Sequence, residues 1–216
     1  MTPEPLYLSP TSAPQVIANL DAFGFLASPR TSLRSWIRDG AWWAMDNDAF
    51  NGGLDETAWL VGVEKHRPYL DRCLFAVVPD VVYDAAATLE RFNEYAPLLP
   101  GYPLALATQN GMTPKMVPWD DIAALFIGGD DKHKLGPEAG ALMAEARRRG
   151  KWVHVGRVNS VKRLLKFWRA DSWDGTTISR EPQHAIGIAR TVREIRQMRR
   201  NGGFEWFTTE SKSGQR

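Results

Sequence analysis

The sequence predicts an α/β fold, a compact (β/α)8 TIM-type barrel of parallel strands, and three observations predict it. Short apolar, β-rich runs alternate along the chain with helical patterns; there are eight such runs; and they are apolar on both faces, as strands are when helices cover a sheet on either side. At 216 residues the chain lies near the lower limit of about 200 for an eight-fold barrel, so its helices must be short and at least one rudimentary. An open doubly wound sheet is the weaker alternative, because no G-x-G-x-x-G follows an early strand.

The eight runs occupy residues 6–9, 23–28, 41–46, 74–80, 103–109, 124–129, 152–158 and 171–175. Helical patterns fall between them at 13–20, 31–38, 55–70, 83–99, 118–125, 136–150 and 159–169, with a final helix at 184–200. Thr31 and Asn159 are expected as N-caps, Pro137 in a first turn, and Gly150 just past an Arg-rich helix end. Residues 1–207 form one barrel domain on this reading, and 208–216 a polar, frayed tail.

The formal net charge of +2 conceals a gradient, since basic residues concentrate in 145–200 as "EARRRGK", "VKRLLKFWR" and "REIRQMRR". A phosphate-rich partner accounts for such clustering, and so does an ordinary solvated helix face. The single cysteine, Cys73 in "CLFAVV", rules out an internal disulfide and a multi-cysteine zinc site, and is expected to be reduced and buried. No apolar run approaches about 18 residues, and the start "MTPEPLYLSP" has no basic stretch ahead of an apolar one. A cytoplasmic protein without a membrane segment is therefore expected.

In a parallel barrel, reactive groups sit where strands end. Those positions are unusually polar here. Asp46, Asp48, Asp80, Gln109, Asn110, Arg157, Asn159 and Asp174 are all expected at one mouth. Turn chemistry explains any one of them, but aspartates on three strand ends repel one another unless something needs them together. Oxygen ligation of a divalent metal and metal-free carboxylate catalysis both fit. The four histidines are dispersed and form no H-E-x-x-H, so the metal-free chemistry is preferred, with no metal and no cofactor.

The ordered motifs resemble the tRNA-guanine transglycosylase superfamily, whose fold is an eight-fold α/β barrel. "DNDAF" at 46–50 is similar to the family's Asp-Ser-Gly-Gly-aromatic, Asp80 in "VVPDVV" to its base-reading aspartate, and "ATQNG" to its Val-Gln-Gly. "FIGGDD" is similar to its Gly-rich loop, "WVHVG" to its Tyr-Leu-Met-Gly-Val, and "WDGTTISR" to the nucleophile motif, with Arg180 at the matching spacing. The chain is much shorter than the tRNA enzymes and lacks their Cys-rich zinc insertion. It looks most like the compact phage 7-deazaguanine DNA transglycosylases (the DpdA group), which protect phage DNA from restriction in the host cytoplasm.

That resemblance implies exchange of guanine in DNA for a free 7-deazaguanine such as preQ0, with tRNA as the alternative polymer. Asp174 is implied as nucleophile and Asp46 as acid/base. Asp80 is implied to read the guanine edge, with Gln109 and the amides near Gly128 and Gly129 on the O6 side. Phe50 and His154 are implied to sandwich the base. Asp48 stands where the family has glycine, as a second pocket carboxylate or a loop cap. Arg157, Lys162, Arg163, Arg180 and Lys134 are candidate contacts to the nucleic-acid backbone. Asp171, at the start of the last strand, is expected to be structural. A non-catalytic nucleobase-binding barrel and a metal-dependent phosphohydrolase remain as alternatives.

Overall fold

The structure, a computed structural model, describes residues 3–32, 34–50 and 52–202, so the expected tail at 208–216 and the last residues of the expected domain lie outside it. Eight parallel strands close in chain order: β1 (Leu6–Ser9), β2 (Phe23–Ala27), β3 (Trp43–Met45), β4 (Cys73–Val77), β5 (Leu104–Thr108), β6 (Ala124–Ile127), β7 (Trp152–Val155) and β8 (Ser172–Asp174). Closure is direct, since β1 pairs with both β2 and β8. This is the (β/α)8 barrel that the alternating runs predict.

Strand alternation divides the core into two layers. On β6, for instance, Leu125 and Ile127 face the helices while Ala124 and Phe126 face the barrel axis. Inside, large Phe75 and Phe126 pack among small Ala44, Ala105, Ala107 and Ala124, which fits bulky rings into a narrow cylinder. Outside, Trp43, Trp59 and Trp173 are fully buried between sheet and helices. The same parity turns His154, Ser172 and Asp174 inward, because Val153, Val155 and Trp173 between them join the outer layer. Cys73 is free and buried there too, and burial pushes its thiol pKa up.

The helices are short where the length demanded it. α1 (Pro14–Ile17) and α2 (Ser35–Arg38) are single turns, whereas α3 (Glu56–His66), α4 (Ala85–Tyr95) and α6 (Pro137–Arg148) are full-length covers. The 55–70 and 83–99 patterns end in 3-10 turns at Arg67–Arg72 and Ala96–Leu98. Asp55, Asp84 and Ser160 cap α3, α4 and α7 (Val161–Lys166) through bonds to Ala58 N, Ala87 N and Arg163 N, each worth about 1 kcal/mol. The last helices are α8 (Thr177–Arg180) and α9 (His184–Arg200). Pro137 opens α6 and Gly150, at φ +67, follows it as expected.

Four local expectations fail for identifiable reasons. Residues 118–125 form no helix, because the Ala123 amide already bonds Leu104 O at 2.8 Å and Ala124 starts β6. Thr31 does not cap α2; its hydroxyl closes a turn onto Ser28 O instead, at 2.9 Å. Asn159 does not cap α7, since its Oδ1 accepts the amides of Thr176 and Thr177 across the mouth. A short helix, α5 (Asp131–Leu135), forms where none was expected, started by Asp130 accepting from His133 N at 2.7 Å. Asp171 is structural: its carboxylate meets Arg199 at 3.1 Å and accepts from Val153 N at 2.9 Å. Among the described residues no helix is long and apolar enough to cross a membrane.

Candidate active site

A cavity of about 380 Å³ opens where the strands end, within the size range of small-ligand sites. Asp46 and Asp48 reach it from the β3 loop, Asp80 from the β4 loop and Asp174 from β8. Backbone strain gathers at the same rim. Asp48, Tyr83 and Arg157, at φ +61, +70 and +60, are left-handed residues on three separate loops, and Gly129 adds a fourth at +74.

Asp80 is the most tightly organised carboxylate. Asn47 Nδ2 donates to its Oδ1 at 2.7 Å and Gln109 Nε2 to its Oδ2 at 2.5 Å. Each amide is held in turn: Asn47 Nδ2 also bonds Val78 O and its Oδ1 accepts from Ala49 N, while Gln109 Oε1 accepts from Tyr83 N. Burial raises the Asp80 pKa, and the hydrogen bond from Asn47 opposes that rise most strongly. With one amide donor on each oxygen, a second lone pair per oxygen remains to accept from a ligand. Such a group reads two adjacent N–H donors.

Asp174 is also held on both oxygens. Oδ1 accepts the backbone N–H of Arg157 at 2.6 Å, which the left-handed turn at Arg157 directs toward it, and Oδ2 lies 3.1 Å from His154 Nε2. Asp46 has a different environment. Burial first, then the nearby charges of Asp174 and Asp80, push its pKa up to about 7, so it exchanges a proton near neutrality.

Lys134, a candidate contact to the nucleic-acid backbone, is buried instead and lines the cavity, its Nζ donating to Gly156 O at 2.7 Å. Burial, then Arg157, lower its pKa to about 8. Arg157 bonds Gly129 O and lays its guanidinium on the Phe50 ring, 4.3 Å from the centroid. Phe50 is 52% exposed, so this pair forms a platform at the rim on which a base can stack. Arg180 is exposed and lines the mouth. Arg163 is instead spent on Asp131, at 2.8 and 3.1 Å, and Lys162 is exposed on α7 away from the cavity lining.

Other expectations need correcting. His154 cannot sandwich a base, because it is fully buried inside the barrel beneath Asp174 and absent from the cavity wall. Phe126 does line the cavity, and it packs on the His154 ring at 4.6 Å. The Gly128 amide is committed to Thr108 Oγ1 at 3.3 Å, and a Cβ on Gly128 would stand 2.7 Å from Thr108 O, so this glycine serves close packing. Gln109 lines the cavity, but its carboxamide is oriented by Asp80 and Tyr83. Asn110 turns away to Asp130, at 2.9 Å. Asp48 is half-buried, with Arg30 Nε at 3.6 Å from its carboxylate. Sequence reasoning missed Asn47, Phe126 and Ser172. Strand parity was the available signal for the last two, since both are inward residues of β6 and β8.

No cluster of three or more His, Cys, Asp or Glu residues suited to hold a metal ion occurs among the described residues. Fold and site together define the class: a parallel (β/α)8 barrel whose strand-end carboxylates line a single cavity at its mouth. No family model matches the chain, and no curated protein matches it in sequence. Among solved structures it is similar to a protein from Mesorhizobium loti suggested to be a dehydratase, at 13% identity and a TM-score of 0.47, over 82% of this chain. The chain spans 56% of that protein's length, and the likeness is too distant to inform function.

Proposed function

We propose that the protein is a base-exchange transglycosylase that replaces guanine in DNA with a 7-deazaguanine of the preQ0 kind. The observation that carries this reading is the meeting of three carboxylates in three environments: Asp174 held by the Arg157 N–H with His154 Nε2 beneath it, Asp46 raised to about 7, and Asp80 fixed by Asn47 and Gln109. Carboxylates made different by their surroundings divide acid, base and nucleophile roles among themselves.

Asp174 attacks C1′ of the target nucleotide, the C1′–N9 bond breaks, and its electron pair leaves with guanine as Asp46 supplies a proton. The product is a glycosyl ester, labile in the way that retaining glycosidases exploit. The incoming base then gives its N9 proton to Asp46 and attacks C1′, which expels Asp174 as carboxylate. Asp80 accepts from the N1–H and exocyclic amine of guanine, a pair adenine lacks. Phe50 with Arg157, and Phe126, supply the faces that offset unstacking of the flipped base, roughly 1 to 3 kcal/mol each.

The test is incorporation of labelled preQ0 into duplex DNA and, in parallel, into tRNA. Parent protein should label DNA and form an adduct that survives denaturation, while Asp174→Asn should do neither yet still bind base. Exchange by Asp174→Asn would remove the nucleophile assignment, and labelling of tRNA alone would move the reaction to that polymer.

A further inference from the structure

We infer that His154 is a positioning residue for the Asp174 carboxylate, locked by Ser172 and Trp152 in the one neutral tautomer that donates to it. Trp152, His154, Ser172 and Asp174 are inward residues of adjacent strands, and the β7–β8 register sets His154 beside Ser172. Three contacts join them in a line: Trp152 Nε1 to Ser172 Oγ at 2.8 Å, Ser172 Oγ to His154 Nδ1 at 2.8 Å, and His154 Nε2 to Asp174 Oδ2 at 3.1 Å.

The direction of this line follows from what each group can do. An indole N–H only donates, so Ser172 Oγ is the acceptor in the first bond. Its own hydrogen is then available to His154 Nδ1, which must accept it. The single ring proton therefore sits on Nε2 and points at Asp174 Oδ2. With the proton on Nδ1, Ser172 Oγ would receive two donors, its hydrogen would have no acceptor, and the Nε2 lone pair would face a carboxylate oxygen in a fully buried place. An imidazolium has the same fault at Ser172. Phe75 and Phe126 flank the ring, with centroids 5.1 and 4.6 Å away, and fix its plane.

His154 N–H from below and Arg157 N–H from the side thus fix the plane of the Asp174 carboxylate, leaving one lone pair per oxygen toward the cavity. His154 thereby shapes the reactive geometry without touching substrate. The hydrogen-bond line is independent of the reaction; only its kinetic consequence rests on the transglycosylase reading.

Two measurements on the full chain test this. In 15N-histidine NMR, His154 should show a protonated, pyrrole-type Nε2 and a pyridine-type Nδ1, and Ser172→Ala should let the Nδ1–H form appear. A proton on Nδ1 in the parent, or on both nitrogens, overturns the inference. In kinetics, His154→Met, of similar bulk but no donor, should lower kcat about 10- to 100-fold with KM nearly unchanged, on the scale of other supporting-residue losses. His154→Gln, whose amide reaches the same place, should recover most of that loss. Equal losses in the two variants, or a change confined to KM, overturns the positioning role. If the parent shows no exchange at all, the functional reading fails while the NMR result still decides the tautomer.

Discussion

Gln109 Nε2 donates to Asp80 Oδ2 across 2.5 Å while the same carboxamide accepts the backbone N–H of left-handed Tyr83 at 2.8 Å. One side chain therefore sets both the orientation of the Asp80 carboxylate and the loop that follows it. Gln109→Glu keeps the shape and replaces the donor with a second carboxylate beside Asp80. Repulsion and loss of a charge-assisted bond should weaken preQ0 binding by about 1 to 3 kcal/mol, or roughly 5- to 150-fold. Calorimetric titration of the free base reads this directly, and unchanged affinity would separate Asp80 from base recognition.

Asp46 should govern the pH dependence of base release. In the proposed reaction its carboxyl must carry a proton to assist departing guanine, and burial beside Asp174 and Asp80 keeps that proton on until about pH 7. Single-turnover release of labelled guanine should therefore fall as pH rises through about 7, and the limb should vanish in Asp46→Asn along with most of the rate. A parent profile that is flat from pH 6 to 8 would dismiss Asp46 as the acid.

How much of this was legible beforehand depends on the length scale of the signal. Strand identity was readable because burial on both faces makes a continuous apolar run, as in "LFAVV" or "ALFI", and register then delivers Asp46, Asp80, Gln109 and Asp174 to one mouth. Which way a side chain turns within that mouth was not. The motif implies that His154 stacks on a base, whereas strand parity and two residues of depth put it inside the barrel. Asn47 carries no signal of its own between two aspartates, and only the position of Asp80 across the cavity makes its amide a clamp. α5 escaped because "DKHKL" has no apolar periodicity and owes its start to the Asp130 cap.

Phosphate contact should be uneven across the basic residues. Arg180 is exposed at the mouth, whereas Arg163 is already neutralised by Asp131 at 2.8 Å. Arg180→Ala should weaken DNA binding and reduce the slope of log affinity against log salt by about 1, the loss of one phosphate contact. Arg163→Ala should change the slope much less. Titrations from low to moderate salt distinguish them, and equal slopes for the two variants would refute this division.

Asp46 should also leave a mark on stability that needs no substrate. Its folded pKa of about 7 lies above the ordinary carboxyl value of 3.8, so between those limits the folded chain holds a proton that the unfolded chain releases. Stability attributable to this group is thus fully present below about pH 4, declines as pH rises, and is gone once pH passes the folded value. The physical cause is that folding forces a carboxylate charge into a desolvated place beside Asp174 and Asp80. Asp46→Asn removes that charge. Relative to the parent, the variant should gain stability between pH 5 and pH 8, by an amount on the order of 1 kcal/mol or more for each pKa unit traversed. Urea midpoints of both proteins at the two pH values measure it, and a parent-to-variant difference independent of pH would mean that Asp46 does not carry the raised pKa.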